Sequence, residues 1–205
     1  MKIVDVLGKP CPIPVIEAKK ALVDAVANGI IIKVDNVVAV QNLEKMANGY
    51  GYGFSYNENT NDTFNVIITK DGKLPPESAT KPTMSHPEEL EALTDGLGVV
   101  ISRDTMGEGS EELGKILIKG FIYSLTELPL HPEFVIFLNS GAFLTSNGAN
   151  TVDDLKTLSN KGTEILTCGT CISYYELSDK PAVGSIANMY EITELIAAAR
   201  TVVNI

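Results

Sequence analysis

The chain has 205 residues, 44% hydrophobic and 20% charged, and its 16 Lys and Arg against 26 Asp and Glu give a formal net charge of −10. That apolar content excludes general disorder, and the length allows one or two modest cores. A balance this acidic is poorly suited to phosphate-backbone binding and is repelled by anionic membrane surfaces, so no nucleic-acid partner and no membrane are expected.

In chain order, the N-terminus carries Lys2 and then Asp5 inside the first apolar segment, which is not a secretory signal. No apolar run approaches the roughly 18 residues of a spanning helix. The expected compartment is the cytoplasm. Ile3 to Val6 reads as a short strand. Residues 12–28 carry Val15, Ala18, Leu22, Ala25 and Val26 at helical spacing, with Gly29 as the C′ residue. Ile30 to Asp35 reads as a strand, and Asn42 to Asn48 as a second helix stopped by Gly49. Phe54 to Asn57 and Phe64 to Thr69 read as strands, with Asn61-Asp62 in the turn between them. The order βαβαββ predicts a two-layer sandwich over residues 1–72.

Residues 73–95 hold four of the ten prolines, Pro75, Pro76, Pro82 and Pro87. Proline removes donors and fixes φ, so this stretch reads as a linker, with a short helix from Ser85 to Leu93 at its end. Residues 96–205 are patterned differently. Leu97 to Ser102, Phe134 to Leu138 and Gly162 to Thr167 contain apolar runs without alternation, as in strands covered on both faces. Glu111 to Leu125, Thr151 to Leu158 and Glu191 to Ala199 read as helices, the second with a Thr151-x-x-Asp154 capping signal. Thr201 to Ile205 reads as a last strand. This alternation predicts a doubly wound three-layer α/β domain with a mostly parallel sheet.

Three cysteines cannot all pair, and in a reducing compartment they are candidates for reactivity. Cys11 stands in Lys9-Pro10-Cys11-Pro12-Ile13-Pro14, directly before a helix whose first turn tolerates both prolines. There the helix dipole and free N–H groups favour a thiolate, the form that attacks and carries sulfur. The alternative is a cysteine buried as a small hydrophobe beside a Pro-rich turn.

Leu166-Thr167-Cys168-Gly169-Thr170-Cys171 places a C-x-x-C pair past the end of a buried strand, with both sulfurs on a loop. If a helix follows at Ile172, its dipole would activate the first thiol. A dithiol redox pair, half of a zinc site and a sulfur-transfer cysteine with a resolving partner all fit the spacing. Zinc is disfavoured because a structural site needs four ligands and no second C-x-x-C exists. Two inert thiols in a tight Gly turn are the remaining reading.

The loop Arg103 to Ser110 lacks the third glycine of a dinucleotide fingerprint, and its acidic neighbours would repel a pyrophosphate. It reads as the start of a helix that also lines a site. In a parallel sheet it shares one edge with Asn139 to Ser146 and with Cys168 to Cys171, and Gly107, Gly109, Gly141 and Gly148 would leave a cleft there. His86 and His131 read as solvated loop residues.

Cys11-Pro12-x-Pro14, followed by Lys19-Lys20-Ala21-Leu22, Val34-Asp35 and the Asn42 to Gly49 helix, resembles the TusA/SirA family of small sulfur carriers. That resemblance implies a βαβαββ sandwich and a Cys11 that accepts a sulfane sulfur as a persulfide. The segment after residue 96 resembles the DsrE-like sulfur-relay family. The combination is similar to the YedF-like proteins, sulfurtransferase-like proteins linked to selenium metabolism. It implies a relay of sulfur or selenium from a donor such as a cysteine desulfurase to Cys11, with Cys168 and Cys171 receiving or releasing it. No dissociable cofactor and no metal are expected. Partners would be sulfur- or selenium-relay proteins, with room for a homo-oligomer through the second domain. Two rivals stand beside this reading: a thiol–disulfide oxidoreductase using Cys168 and Cys171, and a non-catalytic adaptor or regulator.

Overall fold

The computed structural model describes residues 1–24, 28–59, 63–70, 96–177 and 181–205. The chain divides into two compact units, Met1–Ser85 and His86–Ile205. The linker read at 73–95 with its Ser85 to Leu93 helix, the Asn61-Asp62 turn and the Ala25 and Val26 positions lie outside the described residues.

In the first unit the elements are β1 (Lys2–Asp5), α1 (Ile13–Asp24), β2 (Gly29–Val34), α2 (Val37–Gly49), β3 (Gly53–Asn59) and β4 (Thr63–Thr69). The sheet order is β1-β2-β4-β3, with β1 parallel to β2 and the other neighbours antiparallel. Ile30, Ile32 and Val34 alternate with less buried residues along β2, as do Phe64, Val66 and Ile68 along β4. Period-two alternation gives the sheet one apolar face. Ala18, Ala21 and Leu22 of α1 and Ala39, Val40, Leu43, Met46 and Ala47 of α2 cover that face in a single core. The result is a two-layer sandwich with both helices on one side.

Two boundaries differ from the sequence reading. Gly29 opens β2 and is not the C′ residue of α1. A side chain there would meet the Ile68 carbonyl oxygen at 2.6 Å, so glycine is needed for the approach of β4. The second helix starts at Val37, not Asn42, because the Asn36 side chain accepts a hydrogen bond from the Ala39 N–H at 2.8 Å and caps it. Gly49 remains helical, and Gly51, with φ +69°, follows the end.

Between β1 and α1 the chain makes a tight turn at Gly8, where φ is +70°. The turn is tied to the end of β2 from across the sheet. Asp35 accepts a hydrogen bond from the Gly8 N–H at 2.6 Å and one from the Asn36 amide at 3.0 Å. Because β1 and β2 run parallel, their carboxyl ends share an edge, and this carboxylate links the two loops that leave it.

In the second unit the elements are β5 (Leu97–Ile101), α3 (Glu111–Leu125), β6 (Phe134–Phe137), a 3-10 helix (Asn139–Thr145), α4 (Val152–Asn160), β7 (Glu164–Cys168), α5 (Gly169–Tyr174), β8 (Ser185–Ala187), α6 (Met189–Ala198) and β9 (Thr201–Asn204). The sheet order is β8-β7-β6-β5-β9 and every pairing is parallel. One face packs Val99, Ile101, Val135, Phe137 and Ile165 against α3 and α4. The other packs Val100, Phe134, Ile136 and Leu166 against Ile192, Leu195 and Ile196 of α6. Burial on both faces explains the unbroken apolar runs of β5 and β6. This is the expected doubly wound three-layer architecture. Among the described residues no helix is long and apolar enough to cross a membrane.

The Thr151 cap is corrected. Its hydroxyl donates to the Leu144 carbonyl and makes no side-chain hydrogen bond to α4. Thr151 instead ties the start of α4 to the preceding 3-10 helix.

Two tests follow from this packing. Leu43 is 0% exposed beneath the first sheet. Leu43→Ala should therefore destabilise the first unit by about 2–5 kcal/mol, measured by urea denaturation of the full chain with hydrogen exchange read at β2; a loss well below that range would mean that this core is poorly packed. The second concerns Asp35, whose carboxyl lies below its ordinary value, first because of the Gly8 N–H and then because of the Asn36 amide. A carboxylate depressed on folding contributes fully above its unfolded pKa, and the contribution is lost as pH falls through the folded value. Exchange of the Gly8 amide should thus stay slow from neutral to weakly acidic pH and quicken only below the usual carboxylate range. Asp35→Ala should make it several-fold faster at neutral pH, and an unchanged rate would show that the anchor is not holding the turn.

Candidate functional site

Cys11 is exposed at the end of the Gly8 turn. The Cys11–Pro12 peptide bond is cis. The thiol borders a pocket of about 30 Å³ shared with Lys9, Val15, Asn36, Val38 and Asn42. That volume suits one water-sized occupant, the scale of a single additional sulfur atom.

The donors around Cys11 are not those the sequence suggested. At the start of α1 the Ile13 N–H donates to Pro10 O at 3.0 Å and the Val15 N–H to Pro12 O at 3.1 Å. Pro12 and Pro14 have no N–H to offer. The first turn of α1 is therefore self-satisfied, and the free N–H groups expected there are not free. Beside Pro14 and Val15 of α1, the start of α2 also lines the pocket, with Asn36, Val38 and Ala39. Its dipole places partial positive charge at this wall, and Lys9 adds a cation to the lining. Sequence reasoning missed this wall because it started the second helix at Asn42. An Asn ahead of Val37-Val38-Ala39 is the capping signal that could have found it.

In the second unit, Cys168 ends β7 and precedes α5, while Cys171 lies inside α5. The pair is thus on a strand end and a helix, not on a loop, and the helix begins at Gly169, not at Ile172. Gly169 makes no positive-φ turn, and a Cβ there would crowd Ile186 Cγ2 at 3.0 Å. Cys168 is 2% exposed and Cys171 is half-buried. Cys171 packs against the buried cluster that contains Cys168.

A third group completes this cluster. The Asn139 N–H donates to Cys171 Sγ at 3.0 Å. Asn139 sits at φ +47°, a left-handed conformation that Asn tolerates better than most residues. Its side-chain oxygen accepts a hydrogen bond from the Tyr175 hydroxyl. The Tyr175 ring packs against Phe143 at 4.9 Å and Tyr174 at 5.0 Å. Burial, and then the neighbouring Cys168 thiol, push the Cys171 thiol above its ordinary value, and the Asn139 N–H opposes this without reversing it. Cys171 therefore rests as a thiol near neutral pH. Asn139 and Tyr175 were not singled out from sequence; Tyr175 stands one helical turn after Cys171, and the fold brings Asn139 to both.

The β5 loop emerges at the same carboxyl edge, since β5, β6 and β7 are parallel. Arg103 to Thr105, Gly107 to Glu111 and Ser140 line an open cleft of about 510 Å³. Neither cysteine lines it. The link runs through the 3-10 helix, where the Ser140 hydroxyl accepts from the Asp104 N–H at 3.2 Å. Gly107 and Gly109 line the cleft as expected, but Gly141 does not. A Cβ at Gly141 would meet the Ile101 carbonyl oxygen at 2.3 Å, so its smallness lets the 3-10 helix lie on β5. Ser110 caps α3 by accepting from the Leu113 N–H at 3.3 Å. His131 is tied down, with its ring nitrogen 3.2 Å from both the Thr126 carbonyl oxygen and Lys161 Nζ. His86 lies outside the described residues.

Comparison with known proteins places this geometry. The family model described as Sulfurtransferase TusA matches residues 2–70. A Methanocaldococcus jannaschii protein, MJ0990, named as a candidate sulfur carrier, is 36% identical over 72 residues, which span 34% of this chain and 95% of the relative. The SirA-like protein from Desulfitobacterium hafniense is 46% identical over 34% of this chain and 96% of its own, with a TM-score of 0.32. The ychN protein from E. coli is 17% identical over 53% of this chain and 97% of its own, with a TM-score of 0.42. The Gly8 turn, the Cys11 pocket and the α2 wall lie within the residues that the family model matches, and through residues 2–70 the chain belongs to the TusA family of sulfurtransferases.

Proposed function

We propose that the protein relays sulfane sulfur, with Cys11 carrying it as a persulfide taken from a cysteine desulfurase-type donor. The observation that carries this reading is an exposed Cys11 at the mouth of an atom-sized pocket, within the residues that match the TusA family. In the transfer step the Cys11 thiolate attacks the outer sulfur of the donor persulfide. The S–S bond of the donor breaks, its thiolate leaves, and Cys11 holds one added sulfur. Exposure admits the donor, and the α2 dipole and Lys9 supply positive charge beside the developing persulfide anion. The same thiol could take selenium, so the reading extends to a selenium counterpart.

The second unit is read as a DsrE-like partner in the relay, where Cys168 and Cys171 receive or release the atom. Its parallel sheet and the cysteine pair at the carboxyl edge support this. The placement of both free cysteines at the β7–α5 junction also favours one rival, a thiol–disulfide oxidoreductase. That rival requires Cys168 and Cys171 and is indifferent to Cys11.

Incubation of the full chain with a cysteine desulfurase and cysteine, followed by intact-mass spectrometry and peptide mapping, should show one sulfur atom added on the Cys11 peptide. Cys11→Ser should abolish that addition. Replacing cysteine with selenocysteine should add selenium at the same peptide if the carrier serves selenium. A Cys11 peptide that stays unmodified, with full disulfide-exchange activity in Cys11→Ser, would sink the relay and favour the oxidoreductase.

A further inference from the structure

The cysteine pair is asymmetric in a way that assigns its chemistry. Cys168, the first of the pair, is buried to 2% exposure at the end of β7. Cys171, the second, is half-buried and is the one that receives a main-chain donor from another element. An incoming sulfane sulfur on a protein or small-molecule carrier can reach Cys171 and cannot reach Cys168 without opening the sheet edge. We infer that Cys171 is the thiol that accepts sulfane sulfur in the second unit and Cys168 the thiol that resolves it, with Asn139 and Tyr175 positioning the accepting sulfur. The assignment rests on the relay reading above and deepens it.

The chemistry closes with the atoms present. Cys171 gives up its proton and its sulfur attacks the outer sulfur of the donor persulfide R–S–SH; the donor S–S bond breaks, and R–S⁻ leaves and takes up the proton as R–SH. Cys168, deprotonated in turn, attacks Cys171 Sγ. The Cys168–Cys171 bond forms, the bond from Sγ to the outer sulfur breaks, and hydrosulfide departs with the electron pair. The sulfane sulfur is reduced to hydrosulfide while the two thiols are oxidised to a disulfide. Resetting the pair requires a dithiol reductant.

Asn139 has a defined part. Cys171 rests as a thiol because burial and Cys168 disfavour its charge, and the Asn139 N–H is the group that favours charge on that sulfur. The left-handed backbone of Asn139 aims its N–H at Sγ, and the Tyr175 hydroxyl holds its side chain. Asn139 and Tyr175 thus act through Cys171, as positioning residues.

The test uses the reduced full chain and inorganic polysulfide as the sulfur source, with peptide maps read without reductant. The wild type should yield the Cys168–Cys171 disulfide. Cys168→Ser should retain one sulfur atom on Cys171, and Cys171→Ser should retain none on Cys168. Sulfur held on Cys168 in Cys171→Ser, or a wild type that keeps its persulfide without closing the disulfide, would overturn the assignment. In the Cys168→Ser background, Tyr175→Phe keeps the ring packing and removes the tether. The pH midpoint of Cys171 alkylation should then rise and the retained sulfur should be lost several-fold faster, whereas an unmoved midpoint would remove Tyr175 and Asn139 from the assignment. Polysulfide bypasses the desulfurase, so failure of the relay reading appears separately, as an unmodified Cys11 with the enzymatic donor.

Discussion

Parallel strand pairing fixes where each cysteine emerges. In the first unit β1 and β2 run side by side in the same direction, so the Cys11 loop and the start of α2 leave the sheet at one edge. In the second, β5, β6 and β7 do the same, and the β6 end meets the β7 end where Asn139 touches Cys171. The driving force is ordinary burial. Ile30, Ile32 and Val34 must face α1 and α2, and Val135, Phe137 and Ile165 must face α3 and α4. A slip of one residue would turn each apolar set outward, so the register is strongly specified and the loop origins with it. The chemistry stands at ends that the core has no freedom to move.

The two edges then diverge. At the first, Asp35 pins the Gly8 turn and the cysteine beyond it stays in solvent. Nothing large encloses it; the pocket is about 30 Å³. At the second, Cys168 is buried, Cys171 is half-buried against the same cluster and takes the Asn139 N–H, and burial holds Cys171 as a thiol. An exposed carrier thiol suits many docking partners. A shielded pair suits a step in which one thiol must find the other before water or a stray thiol intervenes.

Much of this was legible in the residues. Strands β5 and β6 were readable because their continuous apolar runs are only four or five residues long and rich in β-branched and aromatic side chains. The Cys-Pro-x-Pro turn announced itself through its prolines. What escaped detection has physical causes. Val37-Val38-Ala39-Val40 is β-branched enough to hide a helix start that the Asn36 cap decides. Strand β8 is three residues long and two of them are exposed, so it carries no periodic signal. Thr151 looked like a cap because its spacing to Asp154 fits one, yet its hydroxyl found the Leu144 carbonyl first. Asn139 lies 32 residues before Cys171, and although the shared sheet edge was expected, the contact of its N–H with Cys171 and the tether from Tyr175, one helical turn after Cys171, appear only in the fold.

The central claim is that Cys11 takes the sulfur first. A desulfurase charged with isotopically labelled sulfur, mixed with the full chain and quenched over time for peptide mapping, reads that order directly. Label should appear on the Cys11 peptide before it appears on the Cys168–Cys171 peptide or in free sulfide. Label reaching Cys171 first, at the same rate in the wild type and in Cys11→Ser, would contradict the account.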